Sequence, residues 1–307
     1  MSSCLLGEEV RYDGGHKHDR FVTDVLGRYF DYVAFCPEMA IGLGAPRAPL
    51  RLVGDTTRVR VRGVRDPQLD VTDALVDYAD SVRAACARLG GYIFKRGSPS
   101  CGVQRVSVYT EAGMPSTKSS GAFAGRLMET LPLLPVEEEG RLRDPVLREN
   151  FVTRVYVYDR WQRALADGLD AGALVTFHTR HKFLLLAHCE QTYRRLGRLV
   201  AGAGARPIDE LAAEYVAGLM SALAKRASRG RHGNVLHHVM GYLKREIDAG
   251  DRRELVDVID AYRRGRVPLV VPLTLLKHHF RRSPDPYVSL QYYLEPYPES
   301  LMLRNDI

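Results

Sequence analysis

Cysteine is scarce in this chain, five among 307 residues, and no two of them form a Cys-x-x-Cys pair. That excludes a secreted disulfide framework and a zinc ribbon or finger, which need closely spaced cysteine sets. Long apolar runs are missing too. The best, Phe183–Ala187 and Val267–Leu273, fall well short of the roughly 18 apolar residues that a membrane-spanning helix needs. The opening Met-Ser-Ser-Cys-Leu-Leu-Gly-Glu-Glu has neither the basic nor the apolar stretch of a signal peptide. A cytoplasmic protein with free thiols and no membrane partner is expected. What is present is a globular composition, 45% hydrophobic and 26% charged, which excludes disordered, collagenous and coiled-coil classes. The length allows two domains.

Charge divides the chain. Residues 1–150 hold 20 basic and 20 acidic side chains, whereas 151–307 hold 24 and 17, so the whole net charge of +7 lies in the second half. Eight of the ten histidines lie there as well. A neutral half joined to a basic one suggests one part for chemistry and one for holding a polyanion.

The pattern of elements follows the same division. The first half predicts an α/β domain, a parallel-type sheet with flanking helices. Strands are expected at Tyr32–Phe35, Arg58–Val64 and Tyr92–Phe94, and a helix over Asp70–Leu89 from its apolar stripe. Such folds place ligands at the carboxyl ends of strands, where Cys36 and Cys101 fall. The second half predicts a mostly α-helical domain, with helices at 145–166, 176–200, 208–228, 234–249, 251–264 and 273–281. Gly-rich breaks are expected at 202–206 and 228–233, a capping box at Asp251 and Glu254, and an extended proline-rich tail. The boundary falls near 145, after a turn at Glu137–Gly140, giving domains 1–145 and 146–307.

Cys86 and Cys189 sit mid-helix among apolar or alanine neighbours and read as small buried hydrophobes. Cys4, Cys36 and Cys101 sit instead in Gly-, Pro- and Ser-containing loops. Three such thiols either converge on zinc or an iron–sulfur cluster, or are loop thiols without a ligand role. In the basic half, Lys225, Arg226, Arg229, Arg231, His232 and Asn234 form the densest cluster, with Arg194 and Arg195 on another helix end. Each alone reads as a solvated face; together they suit phosphate contacts to RNA. His232, His237, His238, His278 and His279 have no acidic partner at ligand spacing, so a histidine metal site has little support.

Five segments, Ser3–Gly7, Val10–Gly14, Phe35–Glu38, Gly42–Arg47 and Ser98–Gly102, resemble in order the motifs of the thiouracil desulfidase (TudS-like) family, over about residues 1–135. Downstream, His178, His181–Phe183, Arg231–Leu236, His238–Lys244 and Leu301–Asn305 resemble the YbgA-like domain that often follows it. The fused form resembles the desulfidase of 4-thiouridine in tRNA. The resemblance implies that Cys4, Cys36 and Cys101 hold a [4Fe-4S] cluster with one iron lacking a protein ligand, that Glu38 is the catalytic glutamate, and that Ser98 is the catalytic serine. Arg11, Tyr12, Asp13, Arg47 and Ser100 become candidates for substrate contacts, with Lys17 beside them. Where the family usually has a β-strand before its first cysteine, three residues stand here.

The expected reaction is non-redox loss of the thione sulfur as sulfide, with tRNA bearing 4-thiouridine as partner and no nicotinamide cofactor. Two other readings stay open. One is a desulfidase of free thiouracil or another small thiolated metabolite, and the other is a non-catalytic RNA-binding protein whose cluster senses oxidants.

Overall fold

The computed structural model describes residues 1–55 and 58–307. The chain divides into two compact units, Met1–Arg143 and Asp144–Ile307. The first unit carries α1 (Pro37–Ala40), β1 (Leu50–Gly54), β2 (Val59–Gly63), α2 (Thr72–Cys86), β3 (Tyr92–Phe94), β4 (Val106–Tyr109), β5 (Pro115–Ser119), α3 (Ala122–Thr130) and β6 (Val136–Glu138). Two sheets result, one ordered β2-β1-β4-β5 and the other pairing β3 with β6. The larger sheet is mixed: β1 runs antiparallel to β2 and parallel to β4, and β5 is antiparallel to β4. The β3–β6 pair is parallel.

The residues explain the strands. Val106 and Val108 of β4 alternate inward, and with Leu52, Val61, Val71 and Leu75 they make the core under α2. All three residues of β3 are buried, as expected of a parallel strand covered on both faces. Tyr92 and Phe94 share one face with ring centroids 4.0 Å apart, and Phe123 of α3 packs edge-on against Phe94 at 6.3 Å.

The strand expected at 32–35 shrinks to a single bridge between Ser2 and Phe35. Phe35 alone is pinned on both sides, its N–H donating to Met1 O and its carbonyl accepting from Ser3 N–H, while Val33 stays 50% exposed. The acidic turn expected at 137–140 begins as strand β6, with Glu137 and Glu138 buried.

The second unit is helical: α4 (Pro145–Ala166), α5 (Ala171–His188), α6 (Glu190–Ala201), α7 (Ile208–Leu223), α8 (Arg229–Gly241), α9 (Ala249–Arg263), α10 (Val270–Arg282) and α11 (Pro286–Ser289). Asp144 caps α4 through Val146 and Leu147 N–H, with Pro145 at the first helical position. Trp161 anchors the core, 5.2 Å from Phe177 and 5.6 Å from Tyr215.

Four expectations change here. The helix expected over 176–200 breaks at extended Cys189, where Arg231 binds His188 O at 2.9 Å and the His188 ring meets Lys225 O at 2.6 Å. These long-range bonds outweigh local helix propensity. The glycine-rich stretch 228–233 opens α8 rather than breaking a helix. Gly233 is there because the Arg263 side chain crosses it, 2.5 Å from where a Cβ would stand. The cap of α9 is Asp248, which accepts from Asp251 N–H at 2.8 Å, so Asp251 lies inside the first turn. The proline-rich tail folds into α11 and a 3₁₀ turn at Glu299–Leu301, burying Tyr293, Tyr297, Leu301 and Leu303. No helix among the described residues is long and apolar enough to cross a membrane.

Candidate active site

Three segments of the first unit meet at one cavity. Cys4 lies in a 3₁₀ turn, Ser3–Leu6, closed by Gly7 at φ 98°. Bonds from Ser2 N–H to Ile93 O and from Ser3 N–H to Phe35 O fix that turn to the neighbouring segments. Cys36 precedes Pro37, which holds it extended and starts α1. Cys101 ends the Gly97–Cys101 loop that leaves β3, and it is buried. Two glycines keep that loop tight. A Cβ on Gly121 would stand 2.5 Å from the Ser100 carbonyl carbon, and one on Gly102 would stand 2.3 Å from Val106 Cγ2.

The three thiols line a cavity of about 480 Å³, together with Glu38, Ser98 and Arg47. Arg11, Tyr12, Lys17, Lys95 and Arg96 are at the same cavity, so its surroundings are cationic. Burial pushes the Cys4 thiol up to about 11, and the Cys101 thiol well above its ordinary value. Cys36 is raised by burial too, with a further push from the Glu38 carboxylate. The charged form of Cys36 also disfavours that of Cys4, and both disfavour that of Cys101. Two buried thiols and a half-buried one, whose negative forms repel, make a donor set that a positively charged, sulfur-loving group would stabilise.

Glu38 is the best-held polar group at the cavity. Ser100 Oγ donates to its Oε1 at 2.8 Å, and Arg47 donates to its Oε2 through Nε at 2.8 Å and Nη2 at 2.5 Å. Arg47 is itself fixed by the carbonyls of Gly44 and Val10. Ser98 stands farther off, with Oγ 3.5 Å from Glu38 Oε1. Its oxygen accepts instead from Ser100 and Cys101 N–H at 3.2 and 3.1 Å, a serine turn that sets the direction of Cys101.

Of the expected site residues, Cys4, Cys36, Cys101, Glu38, Ser98, Arg11, Tyr12 and Arg47 line the cavity. Ser100 reaches it through Glu38. Asp13 does not: it is solvent-exposed, takes the Arg11 guanidinium at 3.2 Å and accepts from Gly15 N–H, which holds its carboxyl below the usual range.

In the second unit, Arg194 pairs with Glu190 and Arg195 with Glu214, 3.5 Å away. Arg229 donates to Tyr262 O and Arg231 to His188 O, so both also brace the fold. His232 is a correction. It is 5% exposed, bonded to Tyr293 Oη at 3.0 Å and kept neutral by burial, so it is a core residue and no RNA contact. Lys225, Arg226 and Asn234 are exposed.

Sequence reasoning missed the β6 acids. Glu138 Oε1 accepts from Val103 N–H at 2.9 Å, and Glu139 holds Arg96 N–H at 2.7 Å and the Lys95 ammonium. The signal was three consecutive glutamates in a charge-neutral half, read only as a turn.

Residues 1–139 match the model of the 2-thiouracil desulfurase family, and residues 182–298 match that of a protein family of unknown function, DUF1722. The uncharacterized protein YbbK of Bacillus subtilis (strain 168) is 30% identical over 135 residues, which is 42% of this chain and 88% of YbbK. The uncharacterized protein YbgA of Escherichia coli (strain K12) is 35% identical over 158 residues, which is 51% of this chain and 94% of YbgA. The chain belongs to the 2-thiouracil desulfurase family, fused to a YbgA-like half. Among solved structures, a [4Fe-4S]-dependent thiouracil desulfidase, TudS, is 32% identical with a TM-score of 0.37, over 47% of this chain and 91% of that one. The cavity lies wholly within the residues that match the 2-thiouracil desulfurase model, and its three cysteines come from segments far apart there.

Proposed function

We propose that this chain is an iron–sulfur-dependent desulfidase that converts 4-thiouridine in tRNA to uridine, with Cys4, Cys36 and Cys101 holding a [4Fe-4S] cluster. The observation that carries the reading is the convergence of three thiols, two of them buried, and a fixed carboxylate on one cavity of about 480 Å³. The donor set fits: cluster chemistry asks for thiolates, and cations at Arg11, Lys17 and Lys95 would balance their charge.

When bound, the cluster supplies a soft Lewis acid for the thione sulfur. The residues of the chain do the rest. Glu38 accepts a proton from the attacking water, and Ser100 and Arg47 hold the carboxylate in one orientation while it does so. The balance is a carbon–sulfur double bond plus water giving a carbon–oxygen double bond plus hydrogen sulfide, with no net electron transfer. Ser98, with its backbone-bound oxygen, keeps Cys101 directed at the cavity and places a hydroxyl near the developing charge. Tyr12, 44% exposed at the cavity, offers a ring to a base taken out of its stack. The basic unit, through exposed Lys225 and Arg226 among others, would hold the RNA by its phosphates.

The test is anaerobic reconstitution, addition of thiolated tRNA, digestion, and quantification of 4-thiouridine against uridine. Conversion that requires Cys101 supports the reading. If tRNA binds and keeps its sulfur, the protein is an RNA-binding cluster sensor. If only free thiouracil is turned over, it is a small-molecule desulfidase.

A further inference from the structure

Helices α5 and α6 lie side by side in the second unit, joined at Cys189, and between them runs an open groove of about 560 Å³. Lys182, Arg194 and Arg198 line it, with Tyr193 and Thr179, and no carboxylate lines it. Arg194 shares its charge with Glu190. Among the described residues, Lys182 and Arg198 have no ion-pair partner; the ammonium of Lys182 meets only the Tyr287 ring, at 5.9 Å. Two uncompensated cations on one concave surface already favour an anion.

A second, independent feature marks a point within the groove. His178 lines it yet is 3% exposed, and its Nε2 has no hydrogen-bond partner. The other ring nitrogen, Nδ1, lies 3.3 Å from the hydroxyl of buried Tyr215. With the phenol donating to Nδ1, the ring proton sits on Nε2, giving a buried donor without an acceptor, a state that folded proteins generally avoid. Position 197, across from it, is glycine. A Cβ there would stand 3.8 Å from His178 Nε2 and touch nothing else nearby. No steric conflict demands a glycine in that helix, and glycine is a poor helix former. With no side chain at 197, only the α6 backbone and its neighbours cover Nε2, which is closed off in the unliganded fold, so a ligand reaches it only with a small local shift.

We propose that the α5–α6 groove is a phosphate site for the RNA backbone, in which one phosphate oxygen accepts from His178 Nε2–H while Arg198 and Lys182 neutralise the group. The site deepens the tRNA reading given above and rests on it. It also shifts the main grip on RNA away from the 225–234 cluster, where Arg229 and Arg231 are tied to backbone carbonyls.

The full-length holoenzyme is compared with Gly197→Ala and Arg198→Gln. An alanine methyl covers His178 Nε2 and suits a helix, so the fold is kept; Arg198 is exposed, so its replacement leaves the core alone. Binding of an unthiolated tRNA transcript is measured across a salt series, beside binding of UMP and inorganic phosphate and turnover of free thiouracil. Both variants should weaken transcript binding about tenfold, and Arg198→Gln should reduce the log–log salt slope by about one. Thiouracil turnover should equal that of the wild type. Transcript binding at wild-type affinity and slope in both variants, with thiolated tRNA still converted, overturns the groove and leaves the substrate reading intact. Loss of UMP or phosphate binding with transcript binding unchanged makes the groove a mononucleotide or free-phosphate site, which also overturns it. A wild-type protein that neither binds the transcript nor converts thiolated tRNA removes both readings together.

Discussion

Replacing Arg47 by Met tests the electrostatic frame of the active site. Met keeps an unbranched chain in place but withdraws the donors that Arg47 gives to Glu38, Gly44 O and Val10 O. The two partners are 7% and 13% exposed, so the carboxylate is left almost dry and without its counter-charge. Breaking a buried pair from one side costs about 3–5 kcal/mol, and the residual exposure of Glu38 puts this case near 3. For a unit of this size each kcal/mol lowers the melting temperature by about 3 °C, so a fall of roughly 9 °C is expected. Adding Glu38→Gln removes the stranded charge, and the double variant should recover about 2 kcal/mol relative to the sum of the singles. Circular dichroism melts suit the cycle, because the single tryptophan, Trp161, lies in the other unit and reports only on that one. A loss below about 1 kcal/mol for Arg47→Met, or an additive cycle, refutes the argument that the pair is a desolvated structural clamp.

Three further outcomes are expected. Ser100→Ala removes a bond to a carboxylate at a fully buried position, about 1.5–3 kcal/mol, so kcat should fall roughly ten- to a hundredfold with KM little changed; a shift in KM alone would remove Ser100 from the positioning of Glu38. Gly121→Ala forces a methyl against the Ser100 backbone and should cost about 1–3 kcal/mol together with iron retention, read by the melt and by iron content; a wild-type melt would show that the loop has room to move. His181 is pushed down to about 3 by burial, against 6.5 in the unfolded chain. The unfolded state therefore binds more protons below pH 6.5, and stability is full above that value and falls toward pH 3 at about 1.4 kcal/mol per unit for this one group. His181→Phe should flatten that slope by one proton in urea titrations followed by Trp161 fluorescence, and an unchanged slope would place the acid sensitivity elsewhere.

Much of the catalytic half was readable because its signals are local. Proline after Cys36 and glycine after Cys101 mark the turns that present both thiols, and the valine pattern of 59–61 marks β2; the same alternation at 106–108 forms β4, which was not among the expected strands. The role of Ser100 was less readable. Two serines flank Pro99, and only the folded loop decides which reaches Glu38 and which turns back on its own backbone. The break at Cys189 carries no proline or glycine at that point; it arises from bonds to residues some 40 positions away. His232 looked like a loop residue because Gly230 and Gly233 suggested a loop, whereas Gly233 serves a helix crossing. The basic character of the second half was plain in its composition. Which cations are free was not: Arg194 pairs with Glu190 one turn back in its own helix, but the pairing of Arg195 with Glu214 depends on helices that lie side by side only after folding.

The order in which the first unit becomes complete follows from β6. The loop bearing Cys101 is tied at its far end by Glu138 to Val103 N–H, and at its near end by Glu139 to Arg96 N–H. Those two acids leave a ribosome near the end of the unit, some 130 residues after Cys4. Until they arrive, β3 lacks β6, its one partner strand among the described residues, and the loop that carries the third thiol has its Ser98 turn but neither of these two ties. The donor set proposed above for a cluster is thus assembled late in translation: the thiols emerge one by one as loose chain, and the loop of the third is tied down at both ends only after β6 has been made. Truncation just short of Glu138 would leave all three cysteines in the polypeptide and still deny them a common destination.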